Sequence, residues 1–231
     1  MSVDFCAHLL IRQKSKADTI QSLGNQSLAA LNPGQSILHS MCRSLSFSQS
    51  QQLASLAKLS HELFFNSYKY DPSAEILVPG ELVHGLVVSA ASRDLHEVLH
   101  EEVHNVSYIH HVHPGDTISA ITYVNSIDDS ICTGDLECVN ITTLGVKNMN
   151  LRDQIDELPL EIFHSDNSTT KGIERICKVS YAALPNILSD YLFHFPYATS
   201  QEKCPELSGK IAVYLKRQII RQTKRKSMFL L

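Results

Sequence analysis

The chain has 231 residues, 43% of them hydrophobic, and a formal net charge of −4. That length suits one large domain or a domain with an extension, and the apolar content is enough for a core. The mild acidity gives no reason to expect nucleic acid as a partner. No run reaches the roughly 18 apolar residues of a membrane span, and the opening MSVDFCAHLLIRQ is too weakly apolar for a signal peptide. The six cysteines, at 6, 42, 132, 138, 177 and 204, contain no CxxC and no close pair, which suits reduced thiols in a cytoplasmic protein.

Residues 1–30 are polar and mildly helical, an N-terminal extension. Asn32-Pro33-Gly34 signals a turn. The stretch ILHSMCRSLSF (37–47) alternates loosely and predicts a strand. Ser48 or Ser50 then caps a short helix, QQLASLAKLS (51–60), with Leu53, Leu56, Ala57 and Ser60 as its apolar stripe. HELFFNSYKYDPSAEILVPG (61–80) has no clean period and is rich in aromatic and turn residues, so it reads as an ordered loop.

Leu82, Val83, Leu86, Val87, Ala90, Ala91, Leu95, Val98 and Leu99 then fall at helical spacing. Small residues line the middle of this helix, which suits close approach to a sheet. His84-Gly85 is placed in its first turn. Three strands follow, VSYIHHV (106–112), DTISAITYVNSI (116–127) and LECVNITTLGVKN (136–148), separated by turns and expected as a sequential antiparallel meander. Beyond 150, SYAALPNILSDYLFHF (180–195) reads as a helix interrupted by Pro185. KIAVYLKRQIIRQTKRK (210–226) reads as a strongly basic last helix, its cations solvated or facing an anionic partner.

Twelve histidines raise the question of a metal. His96, His100 and His104 recur every four residues, and His110, His111 and His113 form a second group. Neither group has an HExxH or zinc-type spacing, and Asp94, Glu97, Glu101 and Glu102 around the first make it an ordinary solvated helix face. No metal and no cofactor is expected.

The order of one strand, a long enclosed helix and a meander predicts a sheet wrapped around a helix. The residues in that order resemble the hot-dog fold and, within it, the MaoC-like (R)-specific enoyl-CoA hydratase/dehydratase family. ELVHGLVVSAASRDL is similar to the His-Gly opening of that family's central helix. HPGDTISAITYV resembles its Pro-Gly-Asp-Thr strand, NSYKYDPSA its Asn-Pro-Leu-His-Leu-Asp-Pro segment, and LNPGQSI its Gly-Gln entry to the first strand. GVKN resembles the mesaconyl-CoA hydratase branch. The resemblance covers about residues 31–148. It implies an α+β hot-dog domain over 31–150, an antiparallel sheet around a long central helix, followed by a mostly helical extension over 151–231.

The resemblance implies addition of water to, or its removal across, a double bond conjugated to a thioester of coenzyme A or a carrier protein. Attack at the β-carbon moves charge onto the thioester oxygen, which needs donors already aimed at it. Early helix amides lack intrahelical partners, and the dipole favours negative charge there. Gly85 is therefore the expected enolate donor, with tight helix–sheet packing as the alternative reason for that glycine. The family's water-handling Asp and His fall near Glu62 and on Lys69, at a longer spacing than the family's. A charged lysine is a poor base, but Lys69 could stabilise the enolate by its charge. His61 is then the candidate imidazole, and Glu62 with Lys69 a surface ion pair if it is not. His84, Ser89, Ser92 and Asn66 are candidate substrate contacts, with packing as the plainer role.

Two classes stay open: a carbon–oxygen lyase, and a non-catalytic hot-dog subunit that binds a thioester or scaffolds a partner. The fold implies a homodimer under both. A heterodimer with a catalytic paralogue suits the second.

Overall fold

The computed structural model describes residues 31–66, 76–95, 98–128, 130, 136–151, 160–164, 207 and 209–222. Its elements are β1 (Ser36–Leu38), β2 (Arg43–Ser44), α1 (Phe47–Leu56), a 3-10 turn (Glu62–Phe64), α2 (Gly80–Leu95), β3 (Val98–Tyr108), β4 (Thr117–Ile127), β5 (Leu136–Lys147), a second 3-10 turn (Leu160–Phe163) and β6 (Ile211–Gln222). The strands make one antiparallel sheet in the order β1-β4-β5-β6-β3, with β2 also pairing β4. Helix α2 lies against its inner face, touching β3, β4, β5 and β6. This is the expected antiparallel sheet around a central helix.

The strand that closes the sheet is where the expected basic helix was placed. Residues 211–222 form β6, inserted between β5 and β3. The expected meander is corrected with it: β4 and β5 are neighbours, while β3 lies at the far edge and pairs β6 alone. Because β6 is a central strand, the sheet draws on both sides of residue 150, and 211–222 belong to the core rather than to an extension. Its two faces are both covered, so buried residues run almost continuously and period two is lost. Two of the basic residues, Arg217 and Arg221, are buried and meet Glu101 and Glu137 at 3.0 and 3.3 Å.

Three smaller corrections follow from the same packing. The stretch 37–47 is broken into β1 and β2, with buried His39 just after β1. The short helix starts earlier than expected, at Phe47. Its cap is Ser46, which accepts from the Gln49 N–H while the Gln49 side chain accepts from the Ser46 N–H. It buries Ser50 and Ala54, and the expected apolar stripe faces out, with Leu56 78% exposed. Finally, α2 ends at Leu95, so Val98 and Leu99 open a strand, and His100 and His104 lie on β3.

The inner face of the sheet packs Ile118, Ala120, Val213 and Leu215 against Val83, Val87 and Ala90 of α2. The outer face is covered by Leu151, Ile162, Phe163 and Leu207 over Ile121, Leu144, Val146 and Tyr214. The Pro-Gly-Asp-Thr segment is a locked turn. Gly115 takes a φ of +96° and donates to the Leu45 carbonyl at 2.8 Å, and Asp116 accepts the His113 N–H at 2.8 Å. The N-terminal extension, the 180–195 helix and residues 223–226 lie outside the described residues.

Candidate active site

Helix α2 begins one turn before the His-Gly pair. Pro79 supplies the first acceptor, to Leu82 N at 3.0 Å and Val83 N at 3.3 Å, and Val78 N is tied to the Val112 carbonyl at 2.8 Å. The first helical residues are therefore Gly80 and Glu81, whose amides precede the intrahelical ladder. Gly80 lies close under Tyr108: an added Cβ would stand 2.8 Å from two carbons of its ring.

A cavity of about 260 Å³ opens at this helix start. Phe64, Leu77, Val83, Val112 and Val213 give it apolar walls, and Glu81, Tyr108, His110 and His111 supply its polar side chains. The His110 ring has its Nδ1 3.0 Å from the carbonyl of Ile211. A carbonyl only accepts, so Nδ1 carries the proton. Burial, and then the Glu81 charge, hold the Tyr108 hydroxyl above its usual pKa.

The expected site residues are distributed around this cavity unequally. Gly85 is the sixth residue of α2, in the second turn rather than the first, where a helical N–H is directed at the carbonyl four residues back. It is exposed, does not line the cavity, and an added Cβ would meet nothing within 4 Å. Tight packing therefore does not account for Gly85 either; close approach is required at Gly145, where a Cβ would stand 2.4 Å from Val87 Cγ2. His61 and Glu62 are exposed at the first 3-10 turn, which reaches the cavity through Phe64. The His61 and Phe64 ring centroids are 6.0 Å apart. The exposed Asn66 donates its N–H to the Glu62 carbonyl at 2.7 Å. Ser89 and Ser92 are exposed on α2, outside the cavity wall, and Lys69 lies outside the described residues.

His84 is half-buried. Burial, then the Arg217 charge, lower its pKa against smaller opposing effects of Glu101 and Glu81, which favours the neutral ring.

A second polar group runs under the other end of α2. Asp94 meets His39 Nδ1 at 2.8 Å, and His39 Nε2 meets Thr122 Oγ1 at 2.8 Å. Thr122 bonds Thr143 at 2.8 Å. Arg217 donates to Thr143 at 2.9 Å and to Glu101 at 3.0 Å. The first three residues have the connectivity of a hydroxyl–imidazole–carboxylate triad. Thr122 is wholly buried and none of the three lines the cavity, so the group is structural. Among the described residues, no group of three or more His, Cys, Asp or Glu could hold a metal ion.

No family model matches the chain, and neither does any curated protein. Solved structures do. A monoamine oxidase regulatory protein from Archaeoglobus fulgidus superimposes with a TM-score of 0.51 at 11% identity, over 84% of this chain and 93% of that one. A putative MaoC domain protein dehydratase from Chloroflexus aurantiacus gives 0.57 at 12%, over 88% of this chain and 46% of that one. The chain has the hot-dog fold. It spans less than half the length of the Chloroflexus protein. At these identities the hot-dog likeness speaks to architecture, and activity must be argued from the site. No helix among the described residues is long and apolar enough to cross a membrane.

Proposed function

We propose that this hot-dog protein is a hydratase or dehydratase acting on an enoyl or 3-hydroxyacyl thioester of coenzyme A or a carrier protein. The observation that carries the reading is the cavity at the start of α2, with a mainly apolar lining that includes Gly80 and Glu81. An acyl chain fits the walls. The thioester oxygen is held at the helix start, where amides and dipole favour the growing enolate. One such donor is worth about 3–4 kcal/mol of barrier. In this reading the donor role assigned to Gly85 from the sequence passes to the amides of Gly80 and Glu81. The cavity lies just below the roughly 300 Å³ of the smaller ligand pockets, which favours short acyl chains.

The test is incubation with crotonyl-CoA and longer enoyl-CoAs, following loss of the conjugated-thioester absorbance. Turnover strongest with the short chain supports the proposal; no hydration of any of them refutes it. A thioester-binding subunit without catalysis is the second reading, favoured by Lys69 standing where the family resemblance calls for histidine. It predicts saturable binding of crotonyl-CoA without turnover. In either case β3 has only β6 as a strand partner among the described residues, which favours a homodimer formed through the sheet edge. Light scattering of the purified protein checks that assembly, and co-purification with a paralogue would replace it with a heterodimer.

A further inference from the structure

We propose that His110 is the catalytic base and acid of this cavity, an assignment that rests on the thioester reading above. The residues that the family resemblance nominates, His61 and Glu62, are exposed and outside the cavity wall, whereas His110 lies in it. Two observations support His110 independently of any resemblance.

The first is position. His110 follows β3 by two residues and is half-buried. It shares the cavity with Gly80 and Glu81 at the start of α2. Base catalysis requires the imidazole to reach the β-carbon through one water while the thioester oxygen sits at the helix start, and lining one cavity is the placement that such a step needs. The second is the tautomer. The Ile211 carbonyl accepts from Nδ1, so a neutral ring presents a bare lone pair at Nε2. No partner occupies Nε2 among the described residues. The backbone of β6 thus orients the ring, as the third group of a triad does. Ile211 is fully buried, so this orienting carbonyl is fixed by the sheet itself.

The steps balance around that one nitrogen. Nε2 takes a proton from water while the oxygen bonds the β-carbon. The double-bond electrons move to the thioester oxygen as an enolate. The enolate then collapses, its α-carbon takes the proton back from Nε2, and the 3-hydroxyacyl thioester leaves with the imidazole neutral again. Dehydration is the reverse, and no other reactant is needed.

The decisive variant is His110→Asn. Its side-chain amide stands near the position of Nδ1 and keeps a donor for the Ile211 carbonyl, but it supplies no base. With crotonyl-CoA, kcat falls by about 100-fold or more, KM stays within a few-fold, and added imidazole restores part of the rate to His110→Ala. The exposed His104→Asn on β3 remains at the wild-type rate. A wild-type rate in a folded His110→Asn overturns the assignment while leaving the thioester reading standing. A wild type inactive on every enoyl thioester overturns both. A second measurement covers a variant that fails to fold: long-range proton–nitrogen correlation on the neutral wild-type rings must show His110 as the Nδ1–H tautomer. An Nε2–H tautomer there refutes the proposal.

Discussion

Replacing Gly145 with alanine tests the helix–sheet contact on which the inner face depends. In an isolated strand this change stabilises, because alanine loses less backbone freedom than glycine, by about 0.4–1 kcal/mol. Here the sign reverses. The new Cβ would lie 2.4 Å from Val87 Cγ2 and 3.5 Å from Val213 Cβ. Both valines are buried, and β-branching leaves Val87 one favoured rotamer in a helix. Relief requires α2 to lift from the sheet or Val87 to leave its rotamer, and overpacking of this kind costs about 1–3 kcal/mol. For a chain of this size that lowers Tm by about 2–12 °C. The assay is thermal unfolding followed by circular dichroism, together with a cycle through Val87→Ala. Removing the Val87 methyls alone costs roughly 2 kcal/mol of burial. In the double variant the alanine methyl occupies part of the vacated space. The two losses therefore fall short of additivity by about 0.5–3 kcal/mol. A Gly145→Ala variant as stable as wild type, or strictly additive changes, would mean that α2 does not press on β5 as described.

The remaining predictions concern charge and the cavity mouth. Glu101→Leu leaves the Arg217 guanidinium, 1% exposed, with Thr143 as its remaining described partner. The loss is about 3 kcal/mol, at the low end for a broken buried pair because the Glu101 side chain keeps 26% of its exposure. Urea unfolding measures it, and a loss under half that size would show the pair to be well solvated. Stability also falls with acid. Burial lowers the His39 pKa, and the Arg217 charge adds to that, outweighing the opposing hydrogen bond and charge of Asp94. The unfolded ring then binds a proton first, below about 6.5, and folding weakens from there down to the lowered native value. His84 adds the same slope. His39→Gln should flatten that part of a urea-midpoint against pH plot, and an unchanged slope rules the linkage out. Gly80→Ala should push the Tyr108 ring aside. That ring is half exposed and yields readily, so Tm moves by less than about 4 °C while crotonyl-CoA turnover drops. Unaltered turnover would separate the cavity from the chemistry.

Local chemistry made much of the fold legible. The alternation in TISAITYVNSI matches β4, and the run LECVNITTLGVK matches β5. What failed was the reading of charge. Arg217 and Arg221 are four apart, a spacing that from sequence suits one face of a basic helix. On a strand the same spacing puts both on the inner face, where Glu101 and Glu137 meet them from other strands. Such partners, over eighty residues away, leave no local trace. The helix start failed differently. Pro79-Gly80 is visible as a helix opening, but His-Gly places the boundary one turn too late, and the close approach of the Tyr108 ring to residue 80 is visible only in the fold. His110 and His111 raise a metal question in the sequence, which shows adjacent imidazoles but not the Ile211 carbonyl that orients one of them.

The inner face divides along α2, and the division accounts for why its two ends differ. Toward Leu95, the helix is tied through Asp94 to a chain of hydrogen bonds crossing β1, β4, β5, β6 and β3, and the ring of His39 in that chain is fully buried. A buried network of this sort fixes register, since a one-residue slip of any strand would break its hydrogen bonds. Toward Gly80 the cavity is lined by apolar residues together with Glu81, Tyr108, His110 and His111. His84 stands between the two regions, close enough to Arg217 for that charge to disfavour its protonation. An enolate formed at the helix start would lie in the field of the helix dipole, and Glu81, an exposed carboxylate at the same end, opposes it. Neutralising it, as in Glu81→Gln, should therefore raise kcat with crotonyl-CoA rather than lower it. A fall would mean that the carboxylate handles a proton and that the charge argument for this end of the helix is wrong.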